Sequence, residues 1–330
     1  MRNSKKILSI LLCACLILCL ALVSACSKSE NGKTPNNGTD KLSIVCTIFP
    51  EYDWVKQILG DKFSDCNLTL LLDNGVDLHN YPPTATDIIT ISTCDMFIYV
   101  GGESDDWVDG VLASANNDKV TVINLLQVLG RDAKEEEMLE GMEGEEEEDK
   151  GVEYDEHIWF SLKNAQTLCR YICERISEID SANSGTYSQN TEKYIEKLNA
   201  LDEEYQSAVD SSEKKVLLFG DRFPFRYMAD DYGLTCFAAF SGCSAETEAS
   251  FETISFLAGK VDEFNLHTVL TIEGSHSQIA QTIIASTTEK NQQILSLDSM
   301  QSTTSKDIEN GADYLSIMQN NLEILKQALA

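Results

Sequence analysis

Short apolar runs alternate with helix-length amphipathic segments along this chain, and the alternation occurs in two rounds. In the first, "KLSIVCTIF", "NLTLLL", "MFIYVG" and "KVTVINLL" have the length and β-branched content of buried strands, with "EYDWVKQILGD", "TATDIITIST" and "DDWVDGVLASA" as helices between them. The second repeats the pattern with "KVLLFG", "LTCFAAF", "HTVLTIE" and "QQILSLD" and ends in "ADYLSIMQNNLEILKQALA". Strands joined through helices pair in parallel, and a parallel sheet needs helices on both faces. Between the rounds, Tyr194, Leu198, Leu201, Tyr205 and Ala208 form one apolar stripe at helical spacing. The expected fold is α/β: two similar parallel-sheet α/β lobes joined by a single long helix, with a ligand cleft between them. The divisions are an N-terminal lobe over 41–185, a linking helix over 186–209 and a C-terminal lobe over 210–330.

Ahead of the lobes, Arg2, Lys5 and Lys6 precede an apolar run from Ile7 to Val23 that stops at small residues, the anatomy of a secretory signal over 1–25. "LVSAC" resembles a bacterial lipoprotein processing box, which makes Cys26 the lipidated first residue of the mature chain; an uncleaved membrane anchor is the competing reading. Residues 26–40, rich in Gly, Asn, Ser and Pro, read as a flexible tether. The formal net charge is −29, and loss of the three leader cations makes the mature chain more negative still, which argues against a nucleic-acid partner and favours cations. Of eleven cysteines, three leave with the leader and Cys26 goes to lipid. The remainder show no CxxC pair, so they read as small buried hydrophobes, with Cys236 and Cys243 as the pair to test for a disulfide.

Ligands of open parallel sheets bind beyond the carboxyl ends of the strands. His79 follows "NLTLLL" in "GVDLHNYPPTATDI", His157 stands in "EYDEHIWFSLKNA", Glu273 ends "HTVLTIE" and Asp298 ends "QQILSLD". Two imidazoles and two carboxylates at one edge suit a divalent transition metal. A lone histidine is more often structural, and spacing alone does not make His79 a ligand. Enzyme signatures are few: there is no Walker lysine loop, HExxH or GxSxG.

From about Lys41 onward these motifs, in their order and spacing, resemble the zinc/manganese-binding solute receptors of ABC transporters, the metal-binding lipoproteins sometimes called cluster nine. "TIFPEYDWVKQILGD" is similar to the family's opening strand and helix, and "GVDLHNYPPTATDI" to its first ligand loop. The resemblance implies His79 and His157 as metal ligands and, through "LSLDSM", Asp298. It also implies a two-lobed receptor with a rigid helical hinge. One departure stands out: "GDRFPFRYMADDYGL" places Arg222 where members carry a ligand, and a guanidinium has no lone pair to give. Either Asp221 turns inward, or Glu273 supplies the ligand, or the site has three ligands and a water while Arg222 pairs a carboxylate. His276 is a candidate to support Glu273 from behind. The insertion at about 132–156, "RDAKEEEMLEGMEGEEEEDKGVEYDE", reads as a solvated acidic loop that the resemblance also casts as a weak metal collector.

The expectation is thus a non-enzymatic, monomeric receptor, lipid-anchored on the extracytoplasmic face of a bacterial membrane. Its cargo is zinc, with manganese as the alternative, and its partners are an ABC-transporter permease and its ATPase. A metal-dependent hydrolase and a metal-stabilised adhesin or scaffold are the rival classes.

Overall fold

The structure, a computed structural model, describes residues 41–115, 117, 119–143, 152–244 and 248–330. The secretory leader, Cys26 and the tether lie outside the described residues, and one compact unit runs from Lys41 to Ala330. The first lobe is built from β1 (Leu42–Cys46), α1 (Phe49–Leu59), β2 (Cys66–Leu70), α2 (Ala85–Thr93), β3 (Met96–Tyr99), α3 (Trp107–Ser114), β4 (Thr121–Asn124) and α4 (Leu125–Leu129). Two helices follow, α5 (Leu162–Ile179) and α6 (Ser184–Ser211). The second lobe holds β5 (Val216–Phe223), α7 (Arg226–Tyr232), β6 (Thr235–Ser241), α8 (Phe251–Glu263), β7 (Thr268–Ile272), α9 (Gln278–Ser286), β8 (Gln293–Leu297), α10 (Ser305–Glu309) and α11 (Tyr314–Ala328).

Both sheets are parallel and share one strand order, β2-β1-β3-β4 in the first and β6-β5-β7-β8 in the second. In each, the chain leaves its first strand toward one edge and then crosses back, which opens a crevice at the carboxyl ends beside that first strand. β1 carries the fully buried Ile44, Val45 and Cys46, as a strand covered on both faces should.

The long helix α6, 28 residues, packs its stripe against α5, α1 and α11. Tyr194, Leu198, Leu201 and Tyr205 are buried along it, and the Tyr205 hydroxyl donates to the carbonyl of Met318 at 2.6 Å. The apolar core is continuous from β1 through α6 to α11, so the helix is a shared spine for both lobes.

Two expectations change. The acidic insertion is not simply a solvated run: Glu135 bridges to Tyr154 as an antiparallel pair, and the Glu143 backbone N–H donates to Ala239 of β6. The Glu143 carboxylate also accepts from the Ser250 N–H and the Thr253 hydroxyl at the start of α8. The insertion therefore pairs its own two ends and docks on the second lobe through Glu143, while its most acidic stretch, 144–151, lies outside the described residues. The Cys236–Cys243 disulfide does not form, and the described cysteines are all free. Cys236 sits inside β6 while Cys243 follows its end, and a strand advancing about 3.3 Å per residue carries the two far beyond disulfide reach.

Leu198→Ala should empty a fully buried site on the spine and cost about 2–5 kcal/mol, read as a lowered urea midpoint. A midpoint shift below about 1 kcal/mol would mean the spine tolerates the cavity by collapsing around it.

Candidate metal centre

His79 is fixed by its own loop before it meets anything else. Gly75, at φ +76°, makes the turn after β2, and Asp77 accepts the backbone N–H of His79 at 3.1 Å, starting one 3-10 turn over Leu78–Asn80. Leu78 anchors the turn in the core at 1% exposure. Pro82 and Pro83 then hold the chain extended until Thr84 and Asp87 cap α2 reciprocally. The imidazole Nδ1 lies 2.7 Å from the Ser104 hydroxyl and 3.5 Å from Glu156 Oε2, and Glu156 Oε1 in turn accepts the Ser104 N–H.

His157 is fully buried, with Asp155 Oδ1 accepting both its backbone N–H (2.8 Å) and its ring Nδ1–H (3.0 Å). Gly242 lets the second lobe close on this ring, since a Cβ there would come within 2.8 Å of His157 Cε1. With each Nδ1 engaged, the network turns both Nε2 lone pairs inward, and these atoms stand 3.3 Å apart. Two nitrogens bound at 2.0–2.1 Å to one tetrahedral ion are separated by roughly that distance. Burial, then the neighbouring His157, pushes His79 down to about 3, so it stays a neutral donor at any ordinary pH.

The second lobe contributes two further groups. Gln301 is 5% exposed, and its amide nitrogen lies 3.2 Å from His79 Nε2 and 2.8 Å from His157 Nε2, donating to both lone pairs. Its Oε1 is buried without a hydrogen-bond partner. Cys243, just past β6, places its Sγ so that it and one ring nitrogen of each imidazole all lie within 4.8 Å of one another. Burial, reinforced by Glu136 and Glu156, pushes this thiol well above its ordinary range.

The carboxylates singled out from the sequence lie elsewhere, and among the described residues no Asp or Glu joins the imidazole pair in a three-ligand cluster. Asp298 accepts the N–H of Met300 at 2.8 Å, and Glu273 accepts the N–H and hydroxyl of Ser299 at 2.5 and 2.6 Å. Together they fold the turn after β8, where Met300 adopts φ +60°, and so aim Gln301 at the imidazoles. Trp159, two residues past His157, donates from its indole N–H to the Ser299 carbonyl and ties that turn to the first lobe. Asp221 does not turn inward, because its oxygens accept the N–H groups of Arg222 and Ile272. Arg222 pairs Asp77 across the lobes at 2.7 Å, rather than Asp298 or Glu273. Burial would raise the Asp77 carboxyl, but Arg222 and then His79 hold it below its ordinary range. His276 is exposed beside Glu273 on an open wall shared with Asp221 and Arg222, and His267 is exposed as well.

A family model described as the periplasmic component A of a zinc-uptake complex, ZnuA, matches residues 44–328. The chain belongs to this ZnuA family. Among relatives, it is 29% identical over 317 residues to the high-affinity zinc uptake system protein ZnuA of Bacillus subtilis, covering 94% of this chain and 95% of that one. It is 30% identical over 314 residues to the zinc-binding lipoprotein AdcA of Streptococcus pneumoniae, again over 94% of this chain but spanning only 59% of the relative's length. The solved Zn(II)-bound ZnuA-like domain of that AdcA superposes with a TM-score of 0.67 at 29% identity, over 88% of this chain and 99% of the domain. The ZnuA family is one of metal-binding solute receptors, not enzymes, which sets the hydrolase class aside.

Two groups beside the imidazole pair, Gln301 and Cys243, escaped the sequence reading. Cys243 meets the criterion that singles out Glu273 and Asp298, a polar group just beyond a strand end, but the sequence offers it as a disulfide partner of Cys236. Gln301 stands three residues past Asp298 and carried no signal of its own, because its direction depends on the turn.

Between its ordinary 6.5 and about 3, His79 takes up a proton in the unfolded chain that the folded, metal-free protein refuses. Stability present above pH 6.5 is therefore lost as pH falls through that window. His79→Gln should flatten the loss, measured as the drop in urea midpoint between about pH 7 and about pH 4.5. Equal drops in parent and variant would show that His79 is not held neutral.

Proposed function

We propose that this protein is the extracytoplasmic zinc receptor of an ABC importer, capturing Zn2+ on His79 and His157 and handing it to a membrane permease driven by its ATPase. The observation that carries the reading is the pair of inward-facing Nε2 atoms 3.3 Å apart, each ring fixed from behind through Nδ1. Such a pair is preorganised for a tetrahedral cation, and imidazole lone pairs favour zinc over manganese, whose preference runs to carboxylate and water. In this reading Asp298 and Glu273 hold the Gln301 turn, and Arg222 holds Asp77 beneath His79. The relatives that carry zinc in their names support the same cargo. Cys26 carries the lipid that keeps the receptor, as a monomer, on the outer face of the cell membrane, where the strongly negative surface draws cations toward the cleft.

Equilibrium dialysis of the purified protein followed by elemental analysis should find one tightly held zinc per chain and no retained manganese. His79→Ala and His157→Ala should each weaken zinc binding by at least about 10-fold, since even losses behind the ligands reach that range. Calorimetric titrations with unchanged affinity in both variants would remove the proposed site.

A further inference from the structure

Cys243 differs from every other described cysteine. Cys46, Cys94, Cys169, Cys173 and Cys236 are part of the apolar core and Cys66 packs against it, as small hydrophobes do. Cys243 belongs to neither apolar cluster, and its sulfur faces the two imidazoles within 4.8 Å. Gln301 is 5% exposed and lies against both Nε2 atoms, while its Oε1 has no partner. A buried carbonyl oxygen without a donor is costly unless something that accepts its lone pair comes to it. A half-turn about the last side-chain bond exchanges the two amide atoms and brings this oxygen to where the nitrogen now lies.

We infer that Cys243 is the third protein ligand of the metal captured by His79 and His157, and that Gln301 Oε1 completes a tetrahedron of two nitrogens, one sulfur and one oxygen. This rests on the proposed receptor function and names the chemistry of the same site. As the sulfur–metal bond forms, the Cys243 thiol gives its proton to solvent, so the metal binds a thiolate. The sulfur must come to roughly 3.5 Å from each imidazole nitrogen for a shared zinc, given bond lengths of about 2.3 Å to sulfur and 2.0–2.1 Å to nitrogen. A thiolate selects zinc, or cadmium, against manganese, which prefers hard oxygen ligands. The ligand missing at Arg222 is thus replaced from the next strand, since Cys243 follows β6, the neighbour of β5.

Cobalt(II), a spectroscopic stand-in for zinc, tests this directly. One equivalent added to the reduced purified protein should produce the near-ultraviolet thiolate-to-cobalt charge-transfer band together with tetrahedral visible bands. Cys243→Ser should lose the charge-transfer band, and its preference for zinc over manganese should fall by at least about 10-fold. Cys243→His, which offers a nitrogen without sulfur, should also lack the band but recover tight binding, which separates ligand loss from misfolding. A parent that binds one cobalt without the band, or a Cys243→Ser protein that keeps it, overturns the thiolate while leaving the receptor reading intact. A parent that binds neither cobalt nor zinc overturns both.

Discussion

Two imidazoles held nitrogen to nitrogen across 3.3 Å set the terms for everything around them. Facing lone pairs repel unless a donor or a cation stands between them, and burial keeps His79 from resolving the conflict by protonation. In the structure the Gln301 amide supplies the donor by bonding to both rings. That arrangement satisfies the imidazoles but leaves the amide oxygen unpartnered.

The pair can be held this way because its supports come from different elements with little freedom of their own. Ser104 and Glu156 steady one ring and Asp155 the other, while the second lobe presses Gly242 and Gln301 against them. The Arg222–Asp77 pair adds a tie across the lobes. The firm connection is the spine, where α6 and α11 share one core with both sheets.

Acidic residues outnumber basic ones 54 to 25, yet those nearest the centre act mainly as acceptors for backbone and hydroxyl donors. Asp298 and Glu273 shape a turn, Asp77 starts another and Asp155 orients a ring. A carboxylate beside a strand end is a good guess for a metal ligand, but it is an equally good acceptor for the N–H groups that a tight turn leaves unpaired. Which use it finds depends on where the neighbouring backbone points.

Hydrophobic periodicity alone was enough for the architecture. Strand-length runs such as "LSIVC" and "TVLTI", separated by amphipathic helices, can only be buried by parallel sheets covered on both faces, and the stripe from Tyr194 to Ala208 can only be one long helix. The same pattern placed the two histidines at the carboxyl edge of the sheets, and the family resemblance, not their spacing, implied them as ligands. The rest of the centre was not local. Cys243, Gln301 and the Asp77 partner of Arg222 gain their roles from residues 86 to 222 positions away along the chain. Only the closing of one lobe on the other decides whether a thiol or an amide faces an imidazole, because that direction is set by crossing sheets and packed turns rather than by the order of residues.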